Sequence, residues 1–251
     1  MRLQTFGAFV ALGLAAWPWR VGAADLPGDL VFLRSVAPEI VQDIRYAGSD
    51  NFTGAKVPGY EAGECILRKG AADALKAAND ALRARGLALR VFDCYRPERA
   101  VAAFMRWANA RKDERSNRYH PQIARGALVA QGYVAPKSGH SSGFAVDLTI
   151  AAMTNEPKPD EPTRRDNCAT TVEGSHPQGL DMGTEFDCFD PKSHTSAAGL
   201  TSTQRQNRQL LLDVMNRHGF SNYYREWWHF THRASVAGAK AHDFPITPTN
   251  P

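Results

Sequence analysis

Apolar positions recur along the chain in two rhythms. In RKGAADALKAANDALRARG, residues 68–86, alanine and leucine return every three to four places, the period of a helix with one buried face. Basic residues near its end and Gly86 beyond it mark the stop. RPERAVAAFMRWANARK, residues 96–112, repeats the pattern, with Pro97 suited to the first turn. TSTQRQNRQLLLDVMNRHGF, residues 201–220, predicts a third helix, capped by Thr201 or Ser202 and stopped by Gly219. Residues 121–131 read as a further short helix.

The second rhythm is that of strands. LALRVFDC (87–94), GFAVDLTI (143–150) and REWWHFTH (225–232) are short and rich in β-branched and aromatic residues. Residues 30–46 give two shorter strand-like runs broken at Pro38, followed by a Gly-rich loop over 47–63. Strands mixed with helices and hairpin-like segments predict an α+β fold: one domain, with an antiparallel-rich central sheet flanked by helices. Residues 151–180 lose both rhythms and become rich in proline and charge, which predicts a surface insertion. No internal repeat and no glycine-rich phosphate loop is present.

The N-terminus follows neither rhythm. Arg2 precedes the apolar stretch FGAFVALGLAAWPW, and VGA at 21–23 supplies small residues for cleavage. This predicts a secretory signal over 1–23, leaving residues 24–251 as the mature domain. A membrane anchor is the weaker reading, because the run is short and Pro18 and Arg20 interrupt it. Periplasmic or secreted location follows, with no stable membrane anchor after cleavage. Removing residues 1–23 takes two arginines and no acid, so 30 basic side chains fall to 28 against 26 acidic ones, a balance of +2. Neither that balance nor any basic block suggests nucleic acid as a partner. No pattern sets an oligomeric state.

All four cysteines lie beyond position 23. An even number in an oxidising compartment predicts the bridges 65–94 and 168–188, against the alternative of four buried thiols. The absence of any C-x-x-C pair argues against a thiolate zinc site.

The candidate chemistry lies at strand ends. His140 stands seven positions before Asp147 in KSGHSSGFAVDLTI, and His229 closes EWWH. Two histidines and an aspartate are a donor set for one catalytic Zn²⁺ per chain, with a fourth place left for water. Glu226, three residues before His229, suits the general base for that water. Residues three apart on a regular strand face opposite ways, so the strand must bulge, bend or end between 226 and 229. Taken singly, each histidine reads more readily as a hydrogen-bonded structural residue than as a ligand; it is the set that points to a metal. Arg96, after the buried strand 87–94, suits an oxyanion, or else a buried pair with Asp93. The other histidines, 120, 176, 194, 218, 232 and 242, show no mutual ligand spacing, although KSHTS leaves room for His194 near the site. A serine nucleophile beside His140 lacks a G-x-S-x-G elbow.

Five segments in order, DIRYAGSDNFTG (43–54), CYRPERAV (94–101), SGHSSGFAVDLT (138–149), DMGTEFD (181–187) and EWWHF (226–230), resemble the VanX-like D-alanyl-D-alanine dipeptidases of the zinc D-Ala-D-Ala peptidase group. The resemblance runs over roughly 30–245. It implies zinc on His140, Asp147 and His229, Glu226 as base, and Arg96 stabilising the transition state. It also implies Tyr46 and Asp187 at the free amino end of a small D,D-dipeptide substrate, with Ser138 near it. The implied reaction is hydrolysis of D-Ala-D-Ala to two D-alanines, in wall-peptide turnover or glycopeptide resistance. The rivals are a D,D-carboxypeptidase or related wall-peptide hydrolase on the same scaffold, and a binding module that keeps zinc or peptide without hydrolysis.

Overall fold

The computed structural model describes residues 26–110, 117–153, 167–170, 179–234 and 238–248. The expected leader, and residues 154–166 and 171–178 of the expected insertion, lie outside them.

Strand β1 (Leu30–Phe32) pairs antiparallel with β3 (Ile66–Arg68) in a small two-stranded sheet. The main sheet has five strands. These are β2 (Val41–Gln42), β4 (Leu87–Asp93), β5 (Ala145–Ala152), β6 (Phe220–Asn222) and β7 (His229–His232), in the order β2-β4-β5-β7-β6. Only the β2–β4 pair is parallel. The expected antiparallel-rich α+β fold is what forms.

Helix α2 (Lys69–Arg83) buries Ala71, Ala72, Leu75, Ala78 and Leu82, the stripe that its apolar period predicts. It packs on β4, and the buried Asn79 accepts the Leu89 amide at 2.8 Å. Helix α4 (Ser202–Arg217) packs against α2 and β6. Thr201 caps it through a full capping box with Gln204, and Gly219 follows with φ +87°. Helix α3 (Glu98–Ala110) begins one residue after Pro97, whose carbonyl accepts from Ala100 and Val101, so the proline caps the helix rather than lying inside its first turn.

Three expectations need correction. Leu33–Val36 forms α1, a single helical turn, where a strand-like run was expected. Over 121–131 the only helical turn is a 3₁₀ turn at Arg125–Ala127. The final strand starts at His229, and residues 224–228 before it are turn and loop. One turn of helix is too short to show a period, and turn chemistry outweighs β-propensity in the tryptophan run.

The bridges are Cys65–Cys94 and Cys168–Cys188, as expected. No helix among the described residues is long and apolar enough to cross a membrane.

Candidate active site

Sheet register builds the site. Asp147 in β5 lies opposite Asp93 in β4 and opposite His229 in β7. Directly opposed residues share a face, so three polar side chains form one row across neighbouring strands. Alternation turns Val146, Leu148 and Ile150 to the other face. A register shift between Val91 and Asp93 gives the row its irregular end.

His140 reaches the row from a 3₁₀ turn, Gly139–Ser142, just before β5. Ser138 caps this turn by accepting the His140 amide, and Gly143, at φ +80°, closes it. A side chain at 143 would collide with Leu30, so the turn requires glycine on two counts.

The donor atoms converge. His140 Nε2 lies 3.1 Å from His229 Nδ1 and 3.3 Å from Asp147 Oδ1, and the last two are 2.9 Å apart. Ligands about 2.0–2.1 Å from a tetrahedral zinc stand about 3.3 Å from one another, so the triangle matches one face of such a site within a few tenths of an ångström. His140 Nδ1 lies 2.6 Å from the Cys94 carbonyl, which can only accept. The ring proton therefore sits on Nδ1, and the Nε2 lone pair points at the other two donors. Burial alone would raise the Asp147 pKa, but His140 and His229 outweigh it and hold the carboxyl well below its usual range. No other group of three such donors forms among the described residues. The residues present fit zinc.

Glu226 sits in the turn before β7, and this resolves the facing problem. The His229 amide bonds back to the Glu226 carbonyl at 3.2 Å, and the Glu226 carboxylate comes within 3.9 Å of His229 Nδ1. Asn222 Nδ2 ties both carbonyls, of Glu226 at 3.0 Å and of His229 at 2.9 Å. Burial first, then the Asp147 charge, push the Glu226 pKa up to about 8, against the pull of Arg96 and His140. A cation among the three donors would cancel the Asp147 contribution. Trp227 and Trp228 are buried, and Trp228 walls the cleft, as expected of water-excluding residues.

Arg96 forms the buried pair with Asp93 that was its alternative reading, and it also lines the cleft. It pairs with Asp93 at 2.8 Å, lies 3.5 Å from Asp147, and stacks near the rings of Tyr46 and Phe104 while lining the cleft. Burial opposes its charge, but Asp93, Tyr46, Tyr60 and Asp147 more than offset that, and it stays protonated.

The cleft, about 230 Å³, has Tyr46, Ser138 and Asp187 in its lining together with the metal donors and Glu226. Asp187 is buried and has φ +59°, a left-handed backbone uncommon outside glycine. Tyr46 Oη donates to its Oδ2 at 2.8 Å. Burial, then Asp147, push its pKa well up, and it has no cationic ion-pair partner among the described residues. His194 does not line the cleft; it meets the lining residue Tyr133 at 3.1 Å. His232 packs on Phe220, away from the donors.

Sequence reasoning missed Tyr60 and Lys137. Tyr60 Oη donates to Asp93 at 2.6 Å beneath Arg96, and no local pattern marks it. Lys137, next to the named Ser138, is an exposed cation in the cleft lining.

Comparisons with known proteins give the family. A family model described as D-ala-D-ala dipeptidase matches residues 27–246. The chain is 35% identical over 217 residues to the D-alanyl-D-alanine dipeptidase of Enterococcus faecium, covering 86% of this chain and 96% of that one. It is 34% identical over 222 residues to the enzyme of the same name from Streptomyces coelicolor, covering 88% and 100%. A solved structure of the vancomycin-resistance D,D-pentapeptidase VanY with Zn(II) is similar at 17% identity over 68% of this chain and 74% of that one; its TM-score of 0.36 is too low to argue from. Matched from residue 27 to 246 and by near-complete relatives, the chain belongs to the D-ala-D-ala dipeptidase family.

Proposed function

We propose that the chain is a zinc-dependent dipeptidase that hydrolyses D-Ala-D-Ala to two D-alanines. The observation that carries this reading is the convergence of His140, Asp147 and His229 on one point with the Glu226 carboxylate beside it. Zinc held by those three donors would supply Lewis acidity, lowering the pKa of a water and polarising the scissile carbonyl. Glu226 takes the proton of the attacking water and returns it to the leaving amine, so the carboxylate base is regenerated each cycle. Arg96, locked by Asp93, faces the oxygen on which negative charge builds. Asp187 with Tyr46 binds the substrate ammonium, and Ser138 keeps its hydroxyl proton free to donate to substrate.

The cleft is smaller than the ~300–1,000 Å³ of drug-sized sites, which favours a dipeptide over a long wall peptide. A buried carboxylate at the amine end likewise favours a free amine over an acylated one. Export is supported by two closed disulfides, and the N-terminal sequence pattern remains the ground for cleavage after Ala23.

The test is Glu226→Gln in zinc-loaded protein, with D-alanine release from D-Ala-D-Ala as the readout. Zinc content is expected to hold while turnover falls by about 10²–10⁴-fold. Near-normal turnover overturns the mechanism, and equal turnover of an N-acylated analogue would favour the D,D-carboxypeptidase.

A further inference from the structure

Both disulfides end against residues of the cleft. Cys94 lies between Asp93 and Arg96, and its carbonyl is the one that fixes the His140 ring at 2.6 Å. The Arg96 amide bonds the His140 carbonyl at 3.3 Å, so the segment 94–96 grips the ligand turn twice. The other end of the bridge is firmly held. The Cys65 amide donates to Gln42 Oε1 at 2.7 Å, and its carbonyl accepts the Leu33 amide at 2.8 Å.

The second bridge repeats this arrangement across the cleft. Cys188 directly follows Asp187, the one non-glycine residue with left-handed backbone among the described residues. The Cys188 carbonyl accepts from Ser193 Oγ at 2.6 Å and from the Asp190 amide at 2.9 Å. Its partner Cys168 is clasped on both sides, its amide donating to the Arg118 carbonyl at 3.0 Å and its carbonyl accepting the Glu185 amide at 2.9 Å. A side chain locked one residue beyond an unfavourable backbone conformation keeps the chain from relaxing out of it.

We propose that the two bridges are separate positioning devices, Cys65–Cys94 for the metal half of the site through His140 and Arg96, and Cys168–Cys188 for the ammonium half through Asp187. The assignment of those halves rests on the dipeptidase reading above. A bridge that served stability alone would change neither half selectively.

The experiment compares two double variants of the full mature chain, Cys65→Ala/Cys94→Ala and Cys168→Ala/Cys188→Ala. Zinc affinity is measured by chelator competition, and kcat and KM are measured on D-Ala-D-Ala. Opening the first bridge keeps the carbonyl behind His140 but frees it to move, and is expected to weaken zinc binding about tenfold, the low end of the effect of disturbing a partner behind a ligand, and to lower kcat. Opening the second is expected to leave zinc affinity unchanged and to raise KM about tenfold, as a charge-assisted contact loosens. Dipeptide binding to zinc-loaded Glu226→Gln protein, followed by calorimetry, reads the second effect without any turnover. A chain that binds zinc and dipeptide but does not hydrolyse would thus refute the dipeptidase reading while leaving the split intact.

Should either bridge prove necessary for folding, Gln42→Ala and Ser193→Ala loosen the same two anchors with both bridges closed. The same split is expected of them in smaller measure. Equal effects of the two perturbations on zinc affinity and on KM, or none on either, overturn the proposal.

Discussion

Asp93→Asn is the perturbation that most directly tests how the site is held. Asp93 is fully buried and accepts from Tyr60 Oη at 2.6 Å and from Arg96 Nε at 2.9 Å. Asparagine keeps the shape but removes the charge, and its amide must turn a donor toward Tyr60 or Arg96. Breaking a buried ion pair from one side costs about 3–5 kcal/mol. Arg96 keeps Asp147 at 3.5 Å and the rings of Tyr46 and Phe104, which recover part of the loss. The net destabilisation is therefore roughly 2–3 kcal/mol. For a domain of this size that lowers Tm by about 5–10 °C. Thermal unfolding of the zinc-loaded protein by circular dichroism reads it directly. A double-mutant cycle with Arg96→Met isolates the pair: the second substitution should cost less once the first is made. An unchanged Tm, or costs that simply add, would refute the pairing as the element that holds Arg96. Turnover should also fall, because Arg96 loses the partner that aims it.

Three further outcomes are expected. Thr201→Ala removes the capping box of α4 and should cost about 1 kcal/mol, or roughly 2–4 °C in Tm, with kcat unchanged. Arg208→Met leaves three carbonyls, the buried one of Met182 and the part-buried ones of His194 and Lys192, without their donor and should cost roughly 3 kcal/mol in urea unfolding. Chelation should lower Tm and zinc restore it, with a gain of about 2.7 kcal/mol when free ion stands at a hundred times its Kd; a Tm indifferent to zinc would exclude the three-donor site.

The elements that could be read from the chain are those whose burial is periodic. Helix α2 carries an apolar stripe interrupted only by Asn79, and α4 carries Leu211, Val214 and Met215 in its second half with its own cap and stop, so both could be placed from spacing, although the buried Gln204 and Arg208 of α4 could not. The segment before β7 shows the opposite case. REWWHFTH has the composition of a strand throughout, yet Glu226 and the two tryptophans lie in the preceding turn. What revealed the break was a chemical demand, that Glu226 and His229 face one site. The donors themselves were legible because Asp147 interrupts an apolar strand, while His140 and His229 stand beside apolar runs in Gly/Ser- and Trp-rich surroundings. Tyr60 and the full reach of Asp93 were not, because their meaning comes from a register shift in β4 and a loop contact 33 residues distant in sequence. Non-local pairing of that kind leaves no trace in spacing.

Charge explains why the site hangs together as a unit. Asp147, Asp187 and Glu226 bring three carboxyls to one cleft, the buried Asp93 adds a fourth behind Arg96, and Arg96 is the fixed cation that pairs with them. Left alone, such a set is strained in the direction the shifts show: burial and mutual repulsion press Asp187 and Glu226 toward their neutral forms, while Asp147 stays ionised against its two histidines. A dication at the three donors and an ammonium beside Asp187 would bring the count into balance, three positive charges joining Arg96 against four negative ones. On this account metal and free amine reinforce each other, since each lowers the cost of ionising the carboxylates that bind the other. The dipeptide should therefore bind zinc-loaded Glu226→Asp protein, which keeps the charge, more tightly than zinc-loaded Glu226→Gln. It should bind metal-free protein least of all. Equal affinity of all three in calorimetry would show that the ammonium is held without regard to this balance, and the electrostatic coupling would be wrong.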